Sequence, residues 1–190
     1  MNQKFYDAVA ANPVIAAVKN ESGLKKCLDM PEICVVFVLY GSIGTISALV
    51  EQLKQAGKTV IVHMDLVAGL GAKAEAADFI AQYTRADGII STRIEQVRRA
   101  KELSLYTVYR IFAIDSKVLG HVTGNRVIGE YADFVEILPG LMPKVIRRMC
   151  RELAVPVITG GLISEKEDVI AALDAGAAAI SATNEDVWGM

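Results

Sequence analysis

Short apolar runs alternate with longer segments of helical periodicity along the chain, and this alternation limits the fold more than any other feature of the sequence. Runs that are apolar at nearly every position are typical of strands buried on both faces of a sheet. Strands that alternate with helices pair in parallel through right-handed crossovers. The predicted strands are residues 13–18, 33–40, 59–66, 87–92, 105–113, 132–139, 155–160 and 177–183.

The segments between these runs carry helix-end signals. Ser164 and Glu167 have the spacing of a capping box, and Gly57 and Gly176 stand where the residue after a helix C-terminus is expected. The predicted helices are residues 23–29, 44–57, 73–84, 93–104, 116–131, 142–153 and 164–176. Strands and helices in this number close into an α/β barrel, the (β/α)8 barrel of the TIM type. The alternative is an open doubly wound sheet, which more often has about five or six strands.

Length and composition favour one compact domain. With 190 residues, of which 53% are apolar, the chain suffices for one large core and is short for two domains. We therefore expect a single barrel domain over residues 1–190, with short loops. The net charge of −2 gives no general attraction to nucleic acid or to an anionic membrane, so such a partner would require a local basic patch.

The sequence also predicts where the protein works. The N-terminal stretch MNQKFYDAVAANP lacks the apolar core of a signal peptide, and no apolar run approaches the roughly 18 residues of a membrane span. Cys27, Cys34 and Cys150 have no metal-binding or redox spacing, which is typical of buried thiols in a reducing compartment. We expect a soluble cytoplasmic protein with no metal site and no membrane contact.

A candidate phosphate site follows the last two predicted strands. In a barrel of this type, ligands bind at the carboxyl ends of the strands, and phosphate often lies by the loops after strands seven and eight. Glycines let main-chain N–H groups approach an anion closely, and hydroxyl groups add donors. A glycine pair that only lets the chain turn is the alternative interpretation. The predicted phosphate-binding residues are Gly160, Gly161, Ser181, Ala182 and Thr183.

Polar residues interrupt other apolar strands near the same end. We expect Asp65 and Glu136 to accept hydrogen bonds from ligand hydroxyl groups, and Lys19 and Arg110 to supply positive charge. His63 shares a strand face with Asp65 at a spacing of two. Because an unpaired buried polar group is costly, the alternative for His63 and Glu136 is a satisfied polar layer, with an ion pair to Arg110 or Lys19.

The sixth barrel helix carries a basic stripe. Lys144, Arg147, Arg148 and Arg151 fall on one helix face, opposite an apolar face. Such a stripe is usually a solvated surface, and it is also the local patch that RNA binding would need. A second, more mixed set of basic residues lies in 93–103, where glutamates dilute the charge.

Several blocks together resemble a known family. The blocks are PVIAAVKNE, FVLYGSIGTI, VIVHMDLVAGL, DGIISTR, YRIFAIDS, VEILPGLMPKVI, PVITGGLIS and AGAAAISATNEDVW. As a set, they resemble the glycerol uptake operon antiterminator regulatory proteins. The resemblance implies a non-catalytic barrel of the bacterial cytoplasm that senses glycerol 3-phosphate. It also implies binding to the leader mRNA of glycerol-utilisation genes, which prevents premature transcription termination. We expect no cofactor.

An enzyme that processes phosphosugars, of the isomerase or synthase type, is the alternative function, since such enzymes use the same fold and phosphate pocket. A Schiff-base aldolase would need a lysine in a late strand, and the predicted strands five to eight contain none. Acid–base chemistry by His63, Asp65 and Glu136 stays open. A homo-oligomer also stays open.

Overall fold

The computed structural model describes residues 3–190, which form a closed barrel of eight parallel strands. The strands are β1 (Val14–Val18), β2 (Val35–Val38), β3 (Thr59–His63), β4 (Gly88–Ser91), β5 (Tyr106–Phe112), β6 (Phe134–Leu138), β7 (Val157–Gly160) and β8 (Ala179–Ala182). Each strand pairs with the next in sequence, and β8 pairs with β1. The predicted (β/α)8 barrel is therefore confirmed, because the closing β1–β8 pair excludes the open sheet.

Helices cover the outside of the barrel and one end of it. They are α1 (Lys4–Ala11), α2 (Glu21–Leu28), α3 (Ile46–Gln55), α4 (Ala76–Tyr83), α5 (Ile94–Glu102), α6 (Ser116–Gly124), α7 (Arg126–Tyr131), α8 (Pro143–Glu152) and α9 (Lys166–Asp174). Short 3-10 turns follow β3 (Met64–Leu66) and β8 (Val187–Gly189). The outer core lies between the strands and these helices.

The sequence prediction missed α1, which closes the amino-terminal end of the barrel. Phe5 and Val9 of α1 are buried in the interior cluster formed by alternate residues of the strands. The ring centroid of Phe5 lies 4.7 Å from that of Phe134 and 5.2 Å from that of Tyr106. The helix therefore fills the barrel end opposite the carboxyl ends of the strands, so any ligand must enter at the other end.

One predicted helix is split, one predicted capping box is wrong, and two predicted helix-ending glycines are confirmed. The predicted helix 116–131 is split, because the Asn125 side chain accepts a hydrogen bond from Val127 N and starts α7. Glu165 and Asp168, not Ser164 and Glu167, form the capping box of α9. Gly57 and Gly176 follow α3 and α9 with φ angles of +77° and +102°, as expected for residues that end a helix.

Candidate functional site

Four polar side chains continue the interior rows of the barrel toward its carboxyl end. The interior cluster contains Ile61, Val108, Phe134 and Ala179, and two residues further along the same strands stand His63, Arg110, Glu136 and Ser181. Side chains two apart in a strand share a face, so all four polar groups lie inside the barrel. Periodicity groups side chains within one strand only, and the closed sheet places all four together.

Arg110, Glu136 and Ser181 form one buried cluster. Arg110 Nε donates to Glu136 Oε2 at 2.5 Å, and Ser181 Oγ donates to Glu136 Oε1 at 2.6 Å. Glu136 is fully buried and Arg110 is 7% exposed. A charge this deeply buried requires a partner, and protein groups occupy both carboxylate oxygens. The structure thus contains the buried ion pair that was the alternative interpretation, rather than a Glu136 carboxylate open to ligand hydroxyl groups.

His63 is a neutral imidazole in this cluster. It is 3% exposed, and its Nδ1 has no hydrogen-bond partner among residues 3–190. Burial, and then the nearby Arg110 guanidinium, lower the pKa of His63 to about 3. Asp65 Oδ2 lies 3.8 Å from Nδ1, beyond hydrogen-bonding distance. His63 therefore carries no charge near neutral pH.

Asp65 does not face the cluster. It belongs to the turn after β3, and its carboxylate binds Arg93 and accepts hydrogen bonds from Thr92 N at 2.8 Å and Thr92 Oγ1 at 3.1 Å. This carboxylate lies at the amino end of α5, where the helix dipole favours negative charge. The predicted contact of Asp65 with ligand hydroxyl groups is corrected, because the carboxylate fixes the β4–α5 loop instead.

A cavity of about 80 Å³ opens at the carboxyl ends of the strands, next to this cluster. Its lining combines predicted site residues with residues that the sequence reasoning missed. The predicted ones are Arg110, Gly161, Ser181, Ala182 and Thr183, and the missed ones are Ala17, Leu39, Leu138, Leu162 and Ile163. Leu39 and Leu138 are the apolar ends of two predicted strands, a signal that would have identified them.

Three main-chain N–H groups in loops of this lining have no acceptor within the described chain. The amides of Gly161, Leu162 and Thr183 donate to no acceptor among residues 3–190. By contrast, the Ser164 and Glu165 amides, near the start of α9, both donate to Asp168 Oδ2. An anion in the cavity would therefore meet loop amides rather than the amino end of α9.

The two glycines of the loop have different uses. A side chain at Gly160 would come within 2.2 Å of Ser181 Oγ and 3.1 Å of Glu136 Oε1, so this glycine makes room for the buried cluster. Gly161 has a φ of +74°, and Leu162 after it has a φ of +65°. Gly160 therefore serves the packing of the buried cluster, and its predicted phosphate contact stays a prediction. Ser181 is corrected as a hydroxyl donor to phosphate, because its hydroxyl donates to Glu136.

Lys19 lies on the same rim. It is exposed and lines a shallow depression with Lys26, Thr183, Asn184, Glu185 and Asp186. Lys26 Nζ lies 3.5 Å from Glu185 Oε2 and 3.9 Å from Asp186 Oδ1. This lysine partly neutralises the two acidic residues that would otherwise repel an anion bound beside Thr183.

The basic stripe of α8 lies on the surface as predicted. Lys144, Arg147, Arg148 and Arg151 are exposed, whereas Ile146 and Met149 are buried on the opposite side. Only Arg148 of the four forms an ion pair within residues 3–190, with Glu152 at 2.8 Å. The second basic set is largely neutralised, because Arg93, Arg98, Arg99 and Lys101 of that set all pair with carboxylates.

Residues 3–190 contain no candidate metal centre and no membrane-spanning helix. No group of three or more histidine, cysteine, aspartate or glutamate side chains there could hold a metal ion. None of the described helices is long and apolar enough to cross a membrane. All three thiols are free, but only Cys27 is buried, while Cys34 and Cys150 are half-buried, which corrects the expectation of three buried thiols.

The fold and the cavity define the class: a small (β/α)8 barrel with unoccupied loop amides at the carboxyl ends of β7 and β8. The chain belongs to the glycerol-3-phosphate responsive antiterminator family, whose sequence model matches residues 14–188. This result confirms the family that the sequence blocks indicated.

Individual relatives agree with this assignment. The uncharacterized protein YgcP of Escherichia coli K12 is 40% identical over 93% of this chain and 92% of its own. The structure of a glycerol uptake operon antiterminator regulatory protein from Listeria monocytogenes matches with a TM-score of 0.87 and 33% identity, over 94% of this chain and 95% of that one. An antiterminator-related protein from Thermotoga maritima matches with a TM-score of 0.80 and 34% identity, over 93% of this chain and 98% of that one. Enzymes at 13–16% identity share the barrel fold alone.

Proposed function

We propose that this protein is a cytoplasmic antiterminator that binds glycerol 3-phosphate at the barrel mouth and leader mRNA through its outer surface. The observation that carries the effector site is that Gly161, Leu162 and Thr183, whose amides have no acceptor within residues 3–190, line one cavity together with Arg110. Each hydrogen bond to a charged group contributes about 1.5–3 kcal/mol net, so a few such donors hold a small phosphate ester. No cofactor is needed for this binding.

Arg110 supports the ligand assignment in a second way. Of the Arg110 nitrogens, only Nε donates to Glu136, and the terminal nitrogens of the guanidinium form no hydrogen bond with residues 3–190. Because Glu136 and Ser181 fix the side chain, its planar donors are held in place at the cavity wall. In our proposal the phosphate contacts the loop amides and the Thr183 hydroxyl, with Lys19 nearby, and Arg110 donates to an oxygen of the same ligand.

The state of the acid–base groups supports a sensor rather than an enzyme. Glu136 and Asp65 are both held by protein donors, and burial leaves His63 with a pKa of about 3. A group with so low a pKa is a weak general base near neutral pH. β5, β6, β7 and β8 contain no lysine for a Schiff base. We therefore propose that bound glycerol 3-phosphate is not turned over.

A physical connection links the cavity to the basic stripe of α8. The carbonyl oxygen of Gly161 accepts a hydrogen bond from Gly140 N at 3.0 Å, and Gly140 lies in the loop that leads from β6 into α8. A side chain at Gly140 would come within 2.8 Å of Ile163, so the two loops pack tightly. Ligand binding that orders the Gly161 loop would therefore shift the conformational equilibrium at the start of α8. A coupling free energy of about 1–3 kcal/mol between the ligand site and α8 suffices for a switch.

The test combines ligand and RNA binding. Glycerol 3-phosphate at about 100 times its Kd should raise the melting temperature by roughly 5 °C or more, because it binds only the folded state. Glycerol and inorganic phosphate serve as controls and should have much smaller effects. Leader RNA binding is then measured with and without the ligand, and phosphorus NMR of the incubated ligand tests for turnover. Equal shifts with all three compounds would refute the effector assignment.

A further inference from the structure

A second cavity, of about 540 Å³, surrounds the carboxyl end of β5 next to the proposed effector site. Its walls are mainly apolar and aromatic, and they include the basic residues Arg110, Lys117 and His121. They are formed by Thr92, Tyr109, Arg110, Ile111, Phe112, Ile114, Lys117, Val118, His121 and Val122. Arg110 lines both cavities, so the two share a wall.

The apolar side chains of this cavity are unusually open to solvent. Phe112 is 49% exposed and Ile114 is 81% exposed, although both belong to the run that forms β5 and the loop after it. Contiguous exposed apolar side chains often mark a surface that binds a partner. A three-carbon phosphate ester, which is polar all round, would leave this apolar surface uncovered.

A nucleobase fits these walls better. Unpaired bases of bound RNA stack on aromatic side chains, and the exposed ring of Phe112 is present here. Lys117 and His121 are exposed on α6 and add donors and positive charge at the edge. The acidic residue of this segment, Asp115, has a carboxylate oxygen that accepts a hydrogen bond from Val118 N and caps α6.

α6 connects the cavity to the helix whose basic stripe is proposed to bind RNA. α6 supplies one wall of the cavity and packs against α8, which carries Lys144, Arg147, Arg148 and Arg151. A strand whose phosphates lie on α8 therefore has only one helix to cross before a base reaches Phe112.

We infer that the cavity at the carboxyl end of β5 receives an unpaired base of the bound RNA. This inference rests on the RNA binding proposed above and names the part of the RNA that the barrel contacts directly. Phosphate contacts on α8 provide affinity without reading sequence, whereas an inserted base is read through its edges. Because Arg110 lines both cavities, the base site adjoins the effector site.

Photochemical crosslinking tests the placement. Leader RNA and a short RNA pool of random sequence, both containing 4-thiouridine, are irradiated with the full chain, and the crosslinked peptides are identified after trypsin digestion. The peptide 111–117, IFAIDSK, carries Phe112 and Ile114 and should be the main crosslinked peptide near β5. Duplex RNA of the same sequence should give little crosslink there, because its bases are paired.

Variants of Phe112 separate stacking from simple apolar contact. Phe112→Ala should bind single-stranded RNA about tenfold more weakly. Phe112→Leu should behave similarly, because it keeps the apolar area but not the ring, and Phe112→Trp should restore binding. Leu66→Ala is the matched control, since Leu66 is 47% exposed at the same barrel end and does not line this cavity. Calorimetry with glycerol 3-phosphate should give the wild-type affinity for each variant.

The outcomes distinguish this inference from the function on which it rests. If wild-type protein binds no RNA, with or without glycerol 3-phosphate, both fail together. If wild-type protein binds RNA and Phe112→Ala binds it equally well, only the base site is wrong. If Phe112→Ala instead lowers the oligomeric mass in light scattering while RNA affinity is unchanged, the surface belongs to a second copy of this chain and the inference is overturned.

Discussion

Glu136 Oε2 accepts a hydrogen bond from Arg110 Nε at 2.5 Å inside the barrel, and Ser181 Oγ binds the other oxygen of the same carboxylate at 2.6 Å. The carboxylate thus compensates a guanidinium that is only 7% exposed. It also fixes Arg110 where the effector cavity and the β5 cavity meet. The ion pair therefore affects the stability of the fold and also the position of Arg110 for ligand binding.

Removal of the carboxylate charge should destabilise the fold strongly. Glu136→Gln leaves the Arg110 guanidinium buried without a counterion, and breaking a buried pair in this way costs about 3–5 kcal/mol. The free energy of unfolding is measured by urea denaturation. Ser181→Ala, which removes one hydrogen bond to the carboxylate and leaves the ion pair, should cost less. A loss below about 1 kcal/mol for Glu136→Gln would show that the pair is not formed in solution.

Gly160 should prove to be a packing residue of the buried cluster. Gly160→Ala places a methyl group 2.2 Å from Ser181 Oγ, so we expect a loss of about 1–3 kcal/mol in the free energy of unfolding. In a Ser181→Ala background the same change should cost less, because the nearest atom has gone. A double-mutant cycle measures this coupling. Additive effects of the two changes would contradict the role assigned to Gly160.

Thr183 offers the cleanest test of the phosphate site. It is exposed and lines the cavity, so Thr183→Val should leave the melting temperature of the free protein unchanged. Loss of one hydrogen bond to a charged ligand should weaken glycerol 3-phosphate binding about tenfold or more in calorimetry. Thr123→Val on α6, away from the cavity, is the matched control. Unchanged affinity in Thr183→Val would remove this hydroxyl from the site.

The α8 stripe should be needed for RNA binding and not for ligand binding. Arg147→Glu with Arg148→Glu should lower RNA affinity by about tenfold or more and make it less dependent on salt, because fewer counterions are released. Arg85→Glu with Arg98→Glu changes the net charge equally at residues that already pair with Glu51 and Glu102. Filter binding at several salt concentrations compares the two. Equal losses in both double variants would mean that overall charge, not α8, governs binding.

His63 should give the protein a specific dependence of stability on pH. Burial lowers the folded-state pKa to about 3, below the usual value of 6.5, so the unfolded chain binds the proton first. The resulting contribution is fully present above about pH 6.5 and falls by up to about 1.4 kcal/mol per pH unit as the pH drops toward 3. Urea unfolding of His63→Gln should show a shallower loss over this range.

His121→Gln provides the matched substitution control, because His121 is the other of the two histidines in the chain and is exposed on α6. Parallel curves for wild-type protein and His63→Gln would show that His63 is protonated in the folded state.

Much of the architecture follows from local sequence pattern. The eight strand runs, the amphipathic α8 and the helix-ending Gly57 and Gly176 were all predicted and lie where the sequence placed them. These features depend on neighbouring residues, because periodicity and backbone conformation are short-range properties. The rim location of Gly161 and Thr183 follows from the same reasoning, since the carboxyl ends of parallel strands meet at one end of a barrel.

The partners of the polar residues were decided by the tertiary structure. Arg110 and Glu136 are 26 residues apart, and Ser181 is 45 residues from Glu136, so their contact depends on strand register and on closure of the sheet. Closure of the sheet also places the Asp65 carboxylate at the start of α5 and places Gly160 against Ser181. By itself, the sequence determined which side chains point along each strand face. Which of them meet, and which amides stay unoccupied for an anion, required the folded barrel, because buried polar groups such as Glu136 pair with residues from distant parts of the chain.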